Sequence, residues 1–480
     1  MDLAKLTLKS AHQGLKDREF SSEELTCGFL NNIEKSDKEI HAFINVNQES
    51  AINKAKEVDK KIKNGGKIDI LSGLPCAIKD NILMEGLKTT AGSKILENFL
   101  APYDASVIKK LKEKDAVFLG KTNLDEFAMG SSGENSAFFP TKNPRDLTRV
   151  PGGSSAGSAA AVAGGMCLYA LGSDTGGSVR QPAAFCGLVG LKPTYGRVSR
   201  YGLIALTSST DVIGTLTRTV EDAAYVLEAM AGVDKRDATT KNIKVDDYPA
   251  DLIKTEKKLK IGLPKEYFSA GLADNIKQAI EKVVKKIASQ GFEIVEISLP
   301  HTEYAVAAYY IITPSEASSN LARYDGIKFG LAENKSYDLL ETYLNSREEG
   351  LGAEPKRRIM LGTFSLSSGY YDDYYLIAMK ARRLIAQDFK NAFEKVDLIL
   401  TPTTPTLPFK IGEKQSPLEM YLSDIFLTAP SLAGLPAIAL PFYNGGKLPY
   451  SLQLIGDHFS ESRLLSVSNF IEKGILAPSL

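Results

Sequence analysis

The sequence predicts an α/β fold in which strands and helices are packed in layers. Short apolar runs of strand length alternate along the chain with segments whose apolar residues recur at helical spacing. Several of these runs are apolar almost throughout, a pattern typical of strands that are covered on both faces. The predicted strands are Ala116–Gly120, Leu259–Leu263, Phe292–Leu299, Asp397–Leu400, Ala437–Leu440 and Ser451–Ile455.

The N-terminal part of the chain, over about residues 1–60, is predicted to be helical because its apolar residues follow amphipathic spacing. Ser21 or Ser22 precedes Glu23 and Glu24. A serine hydroxyl can accept a hydrogen bond from the first turn of a helix, and acidic residues there interact favourably with the helix dipole. One of the two serines is therefore the expected N-cap.

Farther along, the apolar stretch 156–172 is rich in glycine, alanine and serine and falls short of the roughly 20 residues of a membrane-spanning helix. We predict a buried helix followed by a strand there. Helical spacing predicts a helix over Asp274–Gln290, which Gly291 would end, and another over Tyr374–Glu394. The polar segment Asp234–Ala250 is expected to be a surface excursion.

The chain length of 480 residues allows one very large domain or two to three ordinary ones. No repeat, low-complexity tract or long linker interrupts the sequence. We therefore predict a single domain over residues 1–480, and a split near residue 250 stays open as the alternative.

Charge and cysteine usage exclude some classes of function. Lysine plus arginine equals aspartate plus glutamate at 58 each, which argues against a chain that grips nucleic acid by itself. The cysteines lack CxxC spacing, so free thiols in a reducing compartment are expected rather than disulfides or a metal site. The first residues lack the pattern of a signal peptide, and we expect a soluble, cytoplasmic protein. The four cysteines are Cys27, Cys76, Cys167 and Cys186.

Two glycine-rich clusters, Gly152–Ser154 and Gly176–Ser178, carry the strongest functional signal. Glycine pairs permit backbone conformations that let consecutive N–H groups converge on an anion or a carbonyl oxygen. Three interpretations are open: flexible loops, phosphate-binding loops, or a serine nucleophile with an oxyanion hole. Neither cluster has the residue order of the known phosphate-binding motifs, which weakens the second.

A serine nucleophile needs a group that accepts its proton. None of the four histidines lies near the glycine clusters in sequence, so a Ser-His-Asp triad is not indicated. Lys79 follows an apolar strand-like run that would carry it into the interior, where burial can lower a lysine pKa by about 3 units. Judged alone, Lys79 is better explained as a lysine at a strand end that is paired with Asp80.

Taken together, the motifs around Lys79, Ser154 and Ser178 resemble those of the amidase signature family, in the same order. The resemblance implies a large central mixed β-sheet covered by helices on both faces, with the catalytic core over about residues 70–230. It also implies a Ser-Ser-Lys triad in which Ser178 attacks an amide carbonyl, Ser154, after a cis peptide bond, bridges, and Lys79 accepts the proton. Backbone N–H groups of Thr175, Gly176, Gly177 and Ser178 would form the oxyanion hole.

Four further motifs are similar to those of the glutaminase subunits of tRNA-dependent amidotransferases. In such heterotrimers this kind of subunit hydrolyses glutamine and passes ammonia to a transamidase subunit, and a small third subunit wraps around the pair. The resemblance implies no cofactor or metal in this chain, since the transamidase uses ATP and Mg²⁺ and binds the tRNA that carries glutamate or aspartate. These motifs are 121–132, 315–326, 357–363 and 420–426.

The same resemblance implies a glutamine pocket, which with partner-facing segments would occupy about residues 300–430. Arg358 would hold the α-carboxylate of glutamine and Asp424 its α-ammonium, while Tyr309 and Ser131 would line the pocket. The chemistry is consistent, because a zwitterion needs one cation and one anion, and arginine grips a carboxylate through two nitrogens.

The chain departs from the family pattern at two positions. Ala156 stands where glycine or serine is usual, and Thr215 where proline is more frequent. Neither is a triad residue, so the departures bear on loop geometry and not on the reaction class. Two other functions are weighed against the glutaminase: a free-standing amidase for other carboxamides, and an inactive scaffold, which the intact triad disfavours.

Overall fold

The computed structural model describes residues 2–254, 258–269, 271–332, 338–414 and 416–476. In this part of the chain eleven strands form one mixed sheet, in the order β1-β3-β2-β4-β6-β5-β10-β11-β9-β7-β8. The strands are β1 Phe43–Val46, β2 Pro75–Lys79, β3 Val117–Thr122, β4 Tyr169–Asp174, β5 Val189–Lys192, β6 Val212–Thr217, β7 Lys260–Pro264, β8 Glu293–Ile297, β9 Leu398–Pro402, β10 Ala437–Phe442 and β11 Tyr450–Ile455.

Sixteen α-helices are found in the described ranges, together with short 3₁₀ turns. They are α1 Leu8–Asp17, α2 Ser22–Ile40, α3 Gln48–Lys63, α4 Ser106–Glu113, α5 Ala156–Ala163, α6 Arg180–Cys186, α7 Val220–Met230, α8 Tyr248–Asp251, α9 Asp274–Ser289, α10 Ala305–Leu321, α11 Leu339–Gly350, α12 Ala353–Leu366, α13 Ile377–Phe393, α14 Pro417–Leu422, α15 Thr428–Leu432 and α16 Glu461–Gly474. Each helix of these ranges is too short or too polar to cross a membrane.

The centre of the sheet is covered on both faces. Every residue of β2 to β6 and of β9 is buried, which explains why these strands lack the alternation of apolar and polar residues that a half-exposed strand shows. β2 lies between β3 and β4 and runs parallel to both. The carboxyl ends of β2 and β4 therefore meet at the same edge of the sheet, where Lys79 and Asp174 are the last strand residues.

The predicted elements are confirmed with small changes at their ends. All six predicted strands are present, and 156–172 contains α5 followed by β4 as expected. Helix α9 matches the prediction, whereas the helix predicted from Tyr374 begins as α13 at Ile377, after a π-helical turn. Ser21 caps α2 and forms a capping box with Glu24, because each side chain bonds the backbone N–H of the other residue.

Two local expectations are wrong. The N-terminal segment is not purely helical, since β1 pairs antiparallel with β3 at the edge of the sheet. The segment 234–250 is not a simple surface excursion, because the side chains of Asp237, Thr240 and Tyr248 are buried. Asp237 accepts backbone hydrogen bonds from Arg200 and Thr239, which satisfies its burial.

Strands from both sides of residue 250 pair in the one sheet, since β5 is hydrogen-bonded to β10. The predicted single domain stays our description of the chain. Of the segment 300–430 that was expected to face substrate and partners, residues 333–337 and 415 lie outside the described residues.

Candidate active site

The side chain of Lys79 is fully buried at the end of β2 and is surrounded by hydroxyl groups. Its Nζ donates to Ser154 Oγ at 2.8 Å, to Ser173 Oγ at 2.9 Å and to Ser155 Oγ at 3.0 Å. Among the described residues no carboxylate pairs with this nitrogen; Asp80, the partner suggested by the sequence, pairs with Lys121 at 2.9 Å. Lys79 is therefore not the structural strand-end lysine of the alternative interpretation.

Burial without a paired charge changes the acidity of Lys79. Desolvation lowers the pKa of Lys79 from its ordinary 10.5 to about 7, and the charges of Asp125, Asp174 and Asp211 oppose this only in part. A substantial fraction of this lysine is then neutral near pH 7 and able to accept a proton.

Ser154 lies in a tightly packed turn directly before α5. The Gly153–Ser154 peptide bond is cis, and the N–H of Gly153 donates to Gln181 Oε1 at 2.9 Å. A Cβ atom on Gly153 would overlap the carboxylate of Asp125 and the backbone nitrogen of Ser132, so only glycine fits there. The N–H of Asp125 in turn donates to the carbonyl of Ser154 at 3.3 Å.

Ser178 lies in the turn between β4 and α6, and a buried ion pair holds this turn. The carboxylate of Asp174 accepts hydrogen bonds from the N–H of Gly177 at 2.8 Å and of Val179 at 3.2 Å. It also pairs with Arg180, which donates to it from Nε at 3.0 Å. Ser178 is 8% exposed, whereas Lys79 and Ser154 are 0% exposed, so Ser178 is the member of the predicted triad that an incoming substrate can reach.

The predicted oxyanion-hole residues lie in the same turn, but they are not equivalent. The N–H of Gly177 is already bound by Asp174, whereas within the described residues the N–H groups of Gly176 and Ser178 have no acceptor. Thr175 is anchored through its hydroxyl, which donates to buried Asp211 at 2.7 Å. A Cβ atom on Gly176 would overlap the ring of Tyr309, so this tyrosine packs directly against the turn.

Asp424 and Ser131, both predicted to line a substrate pocket, are in direct contact. The hydroxyl of Ser131 donates to Asp424, which also accepts from Gln181 Nε2 at 2.9 Å and Tyr310 OH at 3.4 Å. Burial raises the pKa of Asp424 to about 7, and the hydrogen bonds from Ser131 and Tyr310 together with the charge of Arg358 limit the rise.

Arg358 lies against the rings of Tyr310 and Tyr421. Its guanidinium is 5.2 Å from the ring centre of Tyr310 and 5.5 Å from that of Tyr421, and these two rings are stacked. Its Nε donates to Glu354 at 2.8 Å, one helical turn earlier on α12. Its terminal nitrogens have no hydrogen-bond acceptor in the described part of the chain, so two donors remain for a ligand carboxylate.

The structure brings Lys79 and Ser154 into direct contact and places Ser178 beside them, since the N–H of Ser155 donates to the carbonyl of Ser178 at 3.1 Å. Within the described residues the hydroxyl of Ser178 itself has no hydrogen bond to Ser154. Ser131 and Asp424 form a second group with Tyr310, whose ring also lies against Arg358.

Sequence reasoning missed four polar residues that hold these groups in place. In the sequence, three of them are charged or amide side chains within or beside the motifs, and the fourth, Glu354, carries no such signal. They are Asp125, Asp174, Gln181 and Glu354.

The other residues singled out in the sequence take no part in the hydrogen bonds described above. His41 caps the C-terminus of α2, and His301 and His458 bond to Asp388 and to the carbonyl of Ala433. Ala156 is the first residue of α5, and Thr215 lies within β6. All four cysteines are free thiols.

Comparisons with known proteins identify the family of the chain. A family model for amidases matches residues 24–465. The A subunit of glutamyl-tRNA(Gln) amidotransferase from Carboxydothermus hydrogenoformans is 56% identical over 474 residues, with 98% of each chain covered. The crystal structure of the A subunit from Thermotoga maritima superposes with a TM-score of 0.83 at 44% identity, and covers 99% of this chain and 96% of its own.

A peptide amidase has the same architecture. The peptide amidase of Stenotrophomonas maltophilia superposes with a TM-score of 0.84 at 29% identity, and the alignment covers 99% of this chain and 98% of the amidase. The TM-scores of the A subunit and the peptide amidase are nearly equal, whereas their sequence identities to this chain, 44% and 29%, differ.

Proposed function

The chain belongs to the amidase family, and from that premise we infer that it is the glutamine-hydrolysing subunit of a tRNA-dependent amidotransferase. The observation that carries this inference is the 56% identity, over essentially the whole length, to the A subunit of a glutamyl-tRNA(Gln) amidotransferase. A free-standing amidase is the alternative, and it is less well supported because the peptide amidase is only 29% identical.

The proposed reaction starts with attack of Ser178 Oγ on the side-chain amide carbon of glutamine. The proton of Ser178 moves to Ser154 Oγ, and the proton of Ser154 moves to Lys79 Nζ. The C–N bond then breaks, and the leaving nitrogen takes up the proton from Lys79 through Ser154 and departs as ammonia. Water attacks the resulting ester by the same relay, so that glutamate leaves and Ser178 is restored.

The hydrogen bonds around Lys79 suit this relay. The hydroxyl of Ser155 donates to the carbonyl of Ser173 at 3.2 Å, so its oxygen can only accept from Lys79. Asn81 Nδ2 donates to Ser173 Oγ at 2.9 Å. A neutral amine can therefore direct its two N–H groups to Ser155 and Ser173, which leaves its lone pair for the proton of Ser154, 2.8 Å away.

The oxyanion that forms during attack needs donors that are not already used. We propose the N–H groups of Gly176 and Ser178 as the main donors, with Thr175 beside them. Gly177, expected from the sequence to contribute equally, would contribute little because Asp174 already accepts its N–H. Loss of one such donor typically costs about 10²–10³ in rate.

For the substrate we propose that Arg358 binds the α-carboxylate of glutamine and Asp424 its α-ammonium. The two terminal nitrogens of Arg358 can grip a carboxylate, and a bound ammonium would favour the charged form of Asp424. Ser131 would orient Asp424, and Tyr309, packed on Gly176, would place the side-chain amide against the turn of Ser178.

We further propose that the chain works in a heterotrimer, beside a transamidase and a small third protein. The transamidase would bind the misacylated tRNA and use ATP and Mg²⁺, while this chain holds no cofactor of its own. The equal numbers of acidic and basic residues fit a chain that leaves tRNA to its partner. Four free thiols fit the proposed cytoplasmic location.

The test of this function is Ser178→Ala in the assembled complex. We expect glutamine hydrolysis and glutamine-dependent transamidation to fall by about 10⁶-fold, since the nucleophile is lost, while transamidation with added ammonium chloride is retained. Ser289→Ala, at an exposed serine at the end of α9, is the control and should retain both activities. If ammonium did not rescue Ser178→Ala, the proposed division of labour would be wrong.

Arg358→Ala separates the glutaminase from the free-standing amidase. Undiminished hydrolysis of glutamine by that variant would favour the amidase, because only the glutaminase needs a partner for the α-carboxylate.

A further inference from the structure

Gln181 connects the two halves of the site. It lies on α6, three residues after Ser178, and is fully buried. Its Oε1 accepts from the N–H of Gly153, the residue before Ser154, at 2.9 Å. Its Nε2 donates to Asp424 at 2.9 Å and to Ser423 Oγ at 3.3 Å. One side-chain amide thus spans from the serine turn to the pocket carboxylate.

The orientation of this amide is fixed by its neighbours. A peptide N–H lies on one side and can only donate, so it requires the carbonyl oxygen of Gln181. A carboxylate lies on the other side and, when ionised, can only accept, so it requires the amide nitrogen. The link between Gly153 and Asp424 is therefore strongest when Asp424 is ionised.

We propose that Gln181 is a positioning residue that couples occupancy of the Asp424 pocket to the placement of Ser154, so that the α-ammonium of a substrate raises the rate of hydrolysis and not only the affinity. The proposal rests on the function proposed above. It makes Gln181 a determinant of specificity for α-amino amides that acts without touching the reacting atoms.

The physical route has two steps. A bound α-ammonium favours the ionised form of Asp424, whose pKa burial holds at about 7, and an ionised carboxylate accepts a stronger hydrogen bond from Gln181. The amide is then held with its oxygen on the N–H of Gly153. Gly153 has no free space, since it is packed against Asp125 and Ser132, so its position determines that of Ser154.

The experiment compares two substrates in two forms of the assembled enzyme. Glutamine carries the α-ammonium, and glutaric acid monoamide is the same molecule without it. In the wild-type enzyme we expect kcat for glutamine to exceed kcat for the monoamide by about tenfold, the size of a typical coupling between sites. In Gln181→Met, which keeps the side-chain length and removes both polar groups, we expect this ratio to fall close to one.

Two further variants sharpen the test. Ser423→Ala removes the other contact of the Gln181 nitrogen without breaking the link to Asp424, and should keep the wild-type ratio. Gln181→Glu keeps the acceptor for Gly153 but places a second carboxyl group against Asp424. Two such groups in contact cannot both ionise easily. The higher kcat for glutamine than for the monoamide should therefore persist at low pH, where the two carboxyl groups share a proton, and disappear as the pH rises.

The outcomes are distinct. If Gln181→Met slows both substrates equally, or slows neither, Gln181 does not couple the pocket to the serine and the proposal is wrong. If Gln181→Met does not fold, the pH dependence of the substrate ratio in Gln181→Glu decides, and an unchanged ratio at every pH overturns the proposal. If the wild-type complex hydrolyses neither substrate, the proposed function itself fails.

Discussion

Two fully buried lysines, Lys79 and Lys121, lie on neighbouring parallel strands of this protein but in different surroundings. Lys121, on β3, pairs with Asp80 at 2.9 Å and donates to the carbonyl of Ile82 at 2.8 Å and to Thr89 Oγ1 at 3.1 Å. Lys79, on β2, has only hydroxyl and carbonyl oxygens as partners within the described ranges.

The difference in their partners gives the two lysines different acid–base properties. Burial lowers the pKa of both side chains, but at Lys121 the adjacent carboxylate of Asp80 opposes the effect directly. At Lys79 the opposing aspartates act only from a distance, so the neutral form becomes accessible near pH 7. The lack of a contacting carboxylate among the described residues, rather than depth of burial, separates Lys79, the proposed base, from Lys121, which is held as a cation by Asp80.

The largest effect is expected for Lys79→Met. Methionine fills similar space but cannot accept a proton, so hydrolysis of glutamine should fall by at least about 10³-fold. Steady-state kinetics on purified complex checks this, with a thermal melt to show that the variant is folded. Activity within tenfold of wild type would show that Lys79, like Lys121, is not needed for the chemistry.

A smaller effect, on stability instead of chemistry, is expected for Lys121→Met. The change leaves Asp80 buried without its cation, which typically costs about 3–5 kcal/mol in the free energy of unfolding. The folded fraction should keep its glutaminase activity. Denaturant unfolding measures the loss, and the double variant with Asp80→Asn should recover part of it. An equally unstable double variant would show that the ion pair is not the cause.

Much of the fold could be predicted because the six predicted strands are short, largely apolar runs. β1 could not, since it is four residues long and half exposed, and β5 and β6 carry glycines and threonines that weaken the strand pattern. The pairing of β5 with β10 could not be predicted at all, because Gly190 and its partner Ala439 lie so far apart in the sequence.

The proposed triad could be named from the sequence because its motifs resemble those of the amidase signature family, in the same order along the chain. The residues that hold it could not, because their partners are distant in sequence: Gln181 meets Asp424 across 243 positions. The sequence alone suggested Asp80 as the partner of Lys79, since the two are adjacent. Adjacent residues on a strand point to opposite faces, and Asp80 therefore turns away to Lys121.

In the proposed reaction Lys79 must be neutral when Ser178 attacks, and titration of Lys79 itself shows whether it is. Protein labelled with ¹³C at lysine Cε gives a signal for each lysine, and Lys79→Met identifies the one of interest. We predict a midpoint near pH 7, with kcat/KM for glutamine rising through the same range because the base is free only above its pKa. A midpoint near the ordinary pKa of 10.5 would show that Lys79 is charged at neutral pH and cannot accept the proton.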